Sequence, residues 1–277
     1  MKLNVKEYVE KEKKKLKRKA NDPIRNMLII QVGDDKASNV YIKGKIKDVE
    51  ELGHRATLIK FNAGASVDKV YKFLEKNIAD YDGVILQEPA DFGPYNLHRK
   101  SDILNLIPDF KDIDGFKNTS GHKPATPRGI VNYLEFLIAK ECAAEGAIVP
   151  PSNKLLGGKV VAVVGKGQLV GKPLVPMLME KGATVISCNS TTPDLKSMLL
   201  QADIVIAATG VRGLIQDDMI STGTLVIDAG ISVDENGKLY GDCDPALYNR
   251  EGIDITPVPG GVGLLTRLAL MKNFLGK

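Results

Sequence analysis

Tyr41 and Lys45 stand four residues apart in the run SNVYIKGKIKDVEEL, so a helix there sets an aromatic ring and an amine on one face. That pair suits a flat heteroaromatic substrate and a group that moves a proton, although the spacing alone fits a structural helix face equally well. Lys43 and Lys47 fall on other faces and read as solvated. Gln87 closes the apolar run GVILQ, and Asp114 lies in the polar turn segment PDFKDIDGF. A buried carboxylate there could anchor an aminopyrimidine through paired hydrogen bonds; the structural alternative for Asp112 and Asp114 is turn capping. A different chemistry is written in KVVAVVGKGQLVGKP at 159–173. An unbroken β-branched run is followed by Gly165, Gly167 and Gly171, then by apolar residues at helical spacing. A strand, a glycine turn and a helix start make a phosphate cradle, because backbone can approach the anion and the helix end offers unpaired N–H groups. The pattern is GxGxxxG rather than the strict dinucleotide fingerprint, and glycines at such a junction also serve tight packing alone.

The elements that must position these residues can be read in chain order. Residues 27–32 form a buried strand, and Ser38 is expected to cap a helix running to about Leu52. Thr57, Ile59 and Phe61 alternate as a strand, 67–78 reads as an amphipathic helix, and 83–87 as a third strand. A helix follows at 101–106. Thr126-Pro127 opens a helix from Arg128 to about Ala139, with 141–153 as a loose link. Strands at 159–164, 184–188, 203–207 and 224–227 alternate with helices, and Asn236-Gly237 suggests a hairpin. Strands separated by helices imply parallel sheets with right-handed crossovers and ligands at the carboxyl ends of the strands. The segment ITPVPGGVGLLT packs two prolines and three glycines into a fixed backbone path. A helix bearing Leu264, Leu265, Leu268 and Leu270 follows it.

With 277 residues, 43% of them apolar and 26% charged, the chain has material for two globular domains. The lysines between Lys11 and Lys19 read as the solvated face of a first helix, whose apolar stripe of Val5, Tyr8, Val9 and Leu16 is interrupted by Glu12. The net charge of +4 weakly favours anionic small molecules and does not argue for nucleic acid. No apolar run approaches the ~20 residues that span a bilayer, and neither a signal peptide nor a metal site is expected. Cys142, Cys188 and Cys243 are widely spaced and read as free thiols, so a cytoplasmic protein is expected.

Taken together and in order, VGDDKASNVYIKGKIKDVEELG, DGVILQEP, PDFKDIDGF, ATPRGI, VVGKGQLVGKP, ADIVIAATG, LVIDAGI and TPVPGGVG resemble the bifunctional methylenetetrahydrofolate dehydrogenase/methenyltetrahydrofolate cyclohydrolase family over nearly the whole chain. The resemblance implies an α/β protein of two domains with a cleft between them. One would be an α/β/α folate-binding domain, residues 1–140 with 258–277; the other a Rossmann-like doubly wound NAD(P)-binding domain, residues 141–257. It further implies oxidation of 5,10-methylenetetrahydrofolate and hydrolysis of the methenyl product to 10-formyltetrahydrofolate, in one-carbon metabolism that supports purine biosynthesis. By the same resemblance Lys45 is the essential lysine, Tyr41 stacks on the substrate ring, Gln87 positions the lysine and Asp114 binds the pterin. Pro259, Gly260 and Gly261 match the loop lining the cleft. Gly165, Lys166 and Gly167 match the phosphate turn that Gly171 completes, with Ser190 and Ile231 as further cofactor contacts. A homodimer is also implied.

Because TVISCNSTT carries no acidic residue for a ribose hydroxyl, Lys166 and Ser190 are read as receiving a 2′-phosphate, favouring NADP over NAD. The chain departs from the family where Lys166 and Gly167 replace arginine and serine, where Glu88 and Ala90 replace leucines, where Ala125 replaces cysteine, and where Leu264-Leu265 replace Pro-Met. Two alternatives stay open: a dehydrogenase without the hydrolytic step or acting on another small acid, and a nucleotide-sensing scaffold.

Overall fold

The computed structural model describes residues 2–94, 99–117, 119–235 and 237–277. The chain forms two compact units, one of Met1–Glu10 with Thr126–Thr266, the other of Lys11–Ala125 with Arg267–Lys277. These lines fall within helices; of the domain boundaries expected from the sequence, the one after residue 140 also falls inside a helix, and the one after 257 falls in a turn.

In the second unit the strands β1 (Asn26–Val32), β2 (Arg55–Phe61) and β3 (Gly83–Leu86) form a parallel sheet in the order β2-β1-β3. Register is set by full pairing of β1 with β2, Asn26 opposite Arg55 through Val32 opposite Phe61, and of Met27–Ile30 with Gly83–Leu86. β1 is the central strand and is buried at all but its first residue, which is why it reads as a continuous apolar run rather than an alternating one. One face packs Met27, Ile29 and Ile85 on Ile42, Val49 and Leu52 of helix α2 (Lys36–Glu51 and its C-cap), and on Leu270 and Phe274 near the chain's end. The other packs Leu28, Ile30, Val84 and Leu86 on helix α3 (Val67–Asn77) and helix α4 (Lys100–Leu106). The result is α/β/α layering. Helix α1 (Val5–Leu16) carries its buried residues, Val5, Tyr8 and Val9, in its first half.

In the first unit the sheet is five-stranded and parallel throughout, ordered β10 (Asp254–Ile255), β7 (Leu225–Asp228), β6 (Ile204–Ala207), β4 (Val160–Val164), β5 (Thr184–Cys188). Helix α6 (Gly171–Met179) follows β4, and helix α7 (Leu195–Leu199) follows β5. The order places β5 on one side of β4 and β6 on the other. The carboxyl ends of β4 and β6 therefore flank the point where the winding reverses. A two-stranded antiparallel ribbon, β8 (Ser232–Val233) with β9 (Leu239–Tyr240), occupies the expected hairpin; Asn236 lies outside the described residues, and Gly237 takes φ +80°.

Two local expectations need correcting. Ser38 is not the cap of α2: the Asp35 carboxylate accepts the Ser38 N–H at 2.7 Å, so the helix begins two residues before Ser38 and frees its hydroxyl. Helix α5 (Ala125–Glu145) is longer than 128–139 and consumes the first part of the supposed link. It stops where Gly146 turns to φ +67° and the Ala147 N–H closes on the Cys142 carbonyl at 2.8 Å, a left-handed stop that glycine makes cheap. The last helix, α8 (Val262–Leu275), forms as expected.

Candidate active site

In the second unit, Lys45 from α2 donates through Nζ to Gln87 Oε1 at 3.0 Å and lies 3.7 Å from Asp114 Oδ2. All three side chains are buried. Gln87 is delivered by β3, whose last residue precedes it. Asp114 is delivered by a turn that runs beside the same strand, Asp112 bridging Val84. Gly115, at φ +70°, holds that turn in place: a Cβ there would meet the backbone of Lys123 and Pro124 at 2.8 Å. Asp112 does serve turn capping, accepting the Lys117 N–H at 2.9 Å, whereas the Asp114 carboxylate is directed at Lys45.

The orientation of the Gln87 amide is fixed from its other end. Nε2 donates to the Glu88 carbonyl at 2.7 Å, so Oε1 is the atom left to face the lysine. The Ser38 hydroxyl donates to that same carbonyl at 3.0 Å. Burial pushes the Asp114 carboxyl above its usual range, the Lys45 ammonium opposes the rise, and the charges of Asp112 and Glu88 add to it. Tyr41 shares the face of Lys45 and is half-buried; burial raises its hydroxyl pKa, with the charge of Arg267 acting the other way.

The sequence reading missed what stands behind this face. Asp48, wholly buried, takes Arg267 as a bidentate partner at 2.6 and 2.7 Å and also pairs with Lys13. The guanidinium lies across α2 at Gly44, where a Cβ would come within 2.5 Å of Arg267 Nη1. The signal was present, since glycine in a helix interior costs about 1 kcal/mol against alanine and calls for a packing reason.

In the first unit, the glycine turn after β4 is shaped as its sequence suggests. Gly165 takes φ +109°, and a Cβ on it would lie 2.3 Å from the Ala208 carbonyl oxygen; one on Gly171 would lie 1.8 Å from the Gly165 carbonyl oxygen. Gly167 has open space around it, Lys166 is exposed, and α6 begins without a side-chain cap. The Lys172 and Leu174 N–H groups are taken by the Gly167 and Val170 carbonyls at 3.0 Å and Pro173 has none, so the donors a phosphate could meet here are the Gly171 N–H, the open glycine turn and the exposed Lys166 ammonium. Val164 pairs with Cys188, so Lys166 and Ser190 each stand two residues beyond that rung on neighbouring strands, both exposed. Ile231 is exposed just after β7. Its neighbour Gly230 packs against Asp242, which accepts the backbone N–H and hydroxyl of Thr209 at 2.5 and 2.8 Å. Asp228 in turn accepts the N–H groups of Gly230, Asp242 and Cys243. These two buried carboxylates, which the sequence reading did not single out, tie together the loops after β6 and β7. Pro259, Gly260 and Gly261 form a turn with a cis Val258-Pro259 peptide, and Gly261 leaves no room for a Cβ beside the Pro257 carbonyl. Among the described residues no group of ligating side chains could hold a metal ion, and no helix is long and apolar enough to cross a membrane.

Comparison with known proteins finds two family models that match successive parts of the chain. Residues 1–114 match the catalytic-domain model of tetrahydrofolate dehydrogenase/cyclohydrolase, and 124–277 match the model of its NAD(P)-binding domain. The bifunctional protein FolD of Paracidovorax citrulli is 34% identical over 271 residues, covering 94% of this chain and 88% of its own. That of Mesoplasma florum is 35% identical over 261 residues, 89% and 84% of the two chains. Among solved structures, the bifunctional methylenetetrahydrofolate dehydrogenase/cyclohydrolase of Campylobacter jejuni superposes with a TM-score of 0.77 at 31% identity, covering 98% of this chain and 93% of that one. The Thermoplasma acidophilum enzyme gives 0.80 at 27% identity, covering 99% and 97%. With both of its halves matched by the family's two models, the chain belongs to the tetrahydrofolate dehydrogenase/cyclohydrolase family.

Proposed function

We propose that the protein oxidises 5,10-methylenetetrahydrofolate to the methenyl form with NADP and hydrolyses that product to 10-formyltetrahydrofolate. The observation that carries the reading is the buried set of Lys45, Gln87 and Asp114, with Tyr41 on the same helix face. Asp114 accepts the paired N–H groups of the pterin's aminopyrimidine edge, for which it must be ionised. Tyr41 stacks on the ring. Gln87 holds the Lys45 amine in one place. In the hydrolytic step water adds to the methenyl carbon, and Lys45 Nζ, acting as the neutral amine, takes one of the water's protons. Ring opening breaks the bond from that carbon to N5: Lys45 returns its proton to N5, and the hydroxyl on the carbon releases its proton to solvent as the formyl C=O forms. Fixing the amine by Gln87 spares the reaction an ordering cost.

The nicotinamide cofactor, when bound, accepts the hydride. Gly165, Lys166, Gly167 and Gly171 would hold its phosphates, and Ile231 would add a further contact to it. NADP is favoured over NAD because the loop after β5 offers Ser190 with the neighbouring Lys166 ammonium, while its one carboxylate, Asp194, is spent capping α7 through the Ser197 N–H. Lys166 supplies charge without the bidentate fork of an arginine, so a moderate NADP preference is expected. The same reading includes a cytoplasmic homodimer supplying one-carbon units for purine synthesis; three free cysteines are consistent with a reducing compartment.

The test follows methenyltetrahydrofolate absorbance with methylenetetrahydrofolate and either NADP or NAD, and separately with methenyl substrate. Wild type should oxidise with NADP and hydrolyse, and Lys45→Met should lose hydrolysis by at least about a hundredfold, the range of general acid–base catalysis. Oxidation without enhanced hydrolysis would leave a dehydrogenase alone. Neither activity from folded protein would sink the enzyme assignment.

A further inference from the structure

Glu88 follows Gln87 directly and is half-buried beside the site. Among the described residues its carboxylate forms an ion pair from Oε1 to Lys100 Nζ at the start of α4 and accepts the Ala90 N–H on Oε2 at 3.3 Å. Lys100 reaches it from the layer opposite α2, and its side chain is 30% exposed. A carboxylate at this position is a departure from the apolar residue that the family resemblance implies, and so is a cost that needs a partner.

Among the described residues three charges bear most on Asp114. Lys45 faces it from α2, Asp112 stands on its own turn, and Glu88 stands at the end of β3. One of these is positive and two are negative. An unpaired Glu88 would therefore press on the very carboxylate that must be ionised to bind the pterin edge. We propose that Lys100 is a positioning residue of the folate site, neutralising Glu88 so that Asp114 stays a hydrogen-bond acceptor for the substrate at neutral pH. The proposal rests on the reading of Asp114 as the pterin anchor.

The sign follows from which form binds. Folate affinity belongs to ionised Asp114, is held above its pKa, and is lost as pH falls through it. Removing the Lys100 charge raises that pKa and moves the acid limb of the substrate KM profile to higher pH. Removing the Glu88 charge with Lys100 left in place lowers it and moves the limb down.

The experiment measures methylenetetrahydrofolate KM and kcat from pH 5 to 9 for wild type, Lys100→Met, Lys100→Arg, Glu88→Gln and the double variant Glu88→Leu/Lys100→Met. Lys100→Met should shift the limb up by about half to one pH unit, raising KM about three- to tenfold on the acid limb and less than about twofold at the pH where Asp114 is ionised in wild type, a unit being tenfold in the ratio of forms. Lys100→Arg should stay within about twofold of wild type, and the double variant within about threefold, because the charge and its partner leave together. Glu88→Gln, which keeps shape and needs no partner, should shift the limb down; it carries the test should Lys100→Met fail to fold. An unmoved limb in Glu88→Gln, or in a folded Lys100→Met, would overturn the proposal. Asp114→Asn separates it from its premise. Unchanged folate affinity in that variant would sink the pterin-anchor reading, whereas lost affinity with unmoved limbs in the other variants would sink only the role of Lys100.

Discussion

An amide has two ends, and which end faces a lysine decides whether it holds or repels it. At Gln87 the choice is made by the Glu88 carbonyl, which takes the Nε2 hydrogen and leaves Oε1 for Lys45 Nζ at 3.0 Å. A leucine at this position would fill similar space and offer no acceptor. A hydrogen bond to a charged group is worth about 1.5–3 kcal/mol, so Gln87→Leu should lower kcat for methenyl hydrolysis by roughly 10–100-fold. KM should move less than about threefold, because Asp114 and Tyr41 are untouched. Separate determination of kcat and KM decides it, and an unchanged kcat would mean that Lys45 is fixed by Asp114 alone. That Lys45, Gln87 and Asp114 come together was legible in the sequence through the order of the motifs that carry them. What fixes them was not. Nothing in the letters Ser38 or Glu88 says that both address one carbonyl, since that meeting depends on how α2 crosses the end of β3.

At the scale of elements, strands were the most legible features, because burial on both faces leaves unbroken apolar runs such as MLIIQV and VVAVV. Helix ends were less so. Ser38 looked like a cap, yet Asp35 three residues earlier had the better geometry, and α5 ran on to Gly146 because nothing between Lys140 and Glu145 breaks a helix. The junction of β4 and α6 shows how three glycines in one pattern do different work. Gly165 and Gly171 are demanded by the protein's own backbone, whereas Gly167 faces open space. A methyl group at Gly171 would collide with a carbonyl that cannot swing aside. Gly171→Ala should therefore cost about 1–3 kcal/mol of stability, lower the melting temperature, and weaken NADPH binding at least about tenfold. Gly167→Ala should leave the melting temperature within about 1 °C, as an exposed substitution does. Thermal melts with NADPH fluorescence titrations would check the pair. Equal melting temperatures for the two variants would show that the turn relaxes around Gly171.

At the scale of the whole molecule, the chain's last residues build the unit that most of its first half forms. Leu270, Met271, Phe274 and Leu275 lie in one core with Met27, Ile29 and Ile85, and Arg267 closes on Asp48 with two hydrogen bonds. The closing helix was visible in the sequence as an apolar segment in need of a partner and was expected to pack back on the first domain, but its contact with Asp48 was not, since no local pattern links residue 267 to residue 48. Burying four such side chains is worth about 2 kcal/mol each, and breaking a buried ion pair costs about 3 kcal/mol more. Their sum is comparable to the roughly 5–15 kcal/mol that holds an ordinary domain folded. A chain ending at Thr266 should therefore lose the Lys45 site altogether although it keeps every residue of it. Its cyclohydrolase activity should be absent, and residues 11–125 should be cut rapidly by a nonspecific protease. The five-stranded sheet keeps all its strands in that truncation, so NADPH titration by fluorescence should still show binding. Retained hydrolysis would mean that the three-stranded sheet closes its core without α8. Loss of NADPH binding together with hydrolysis would mean instead that the two units fold as one cooperative whole.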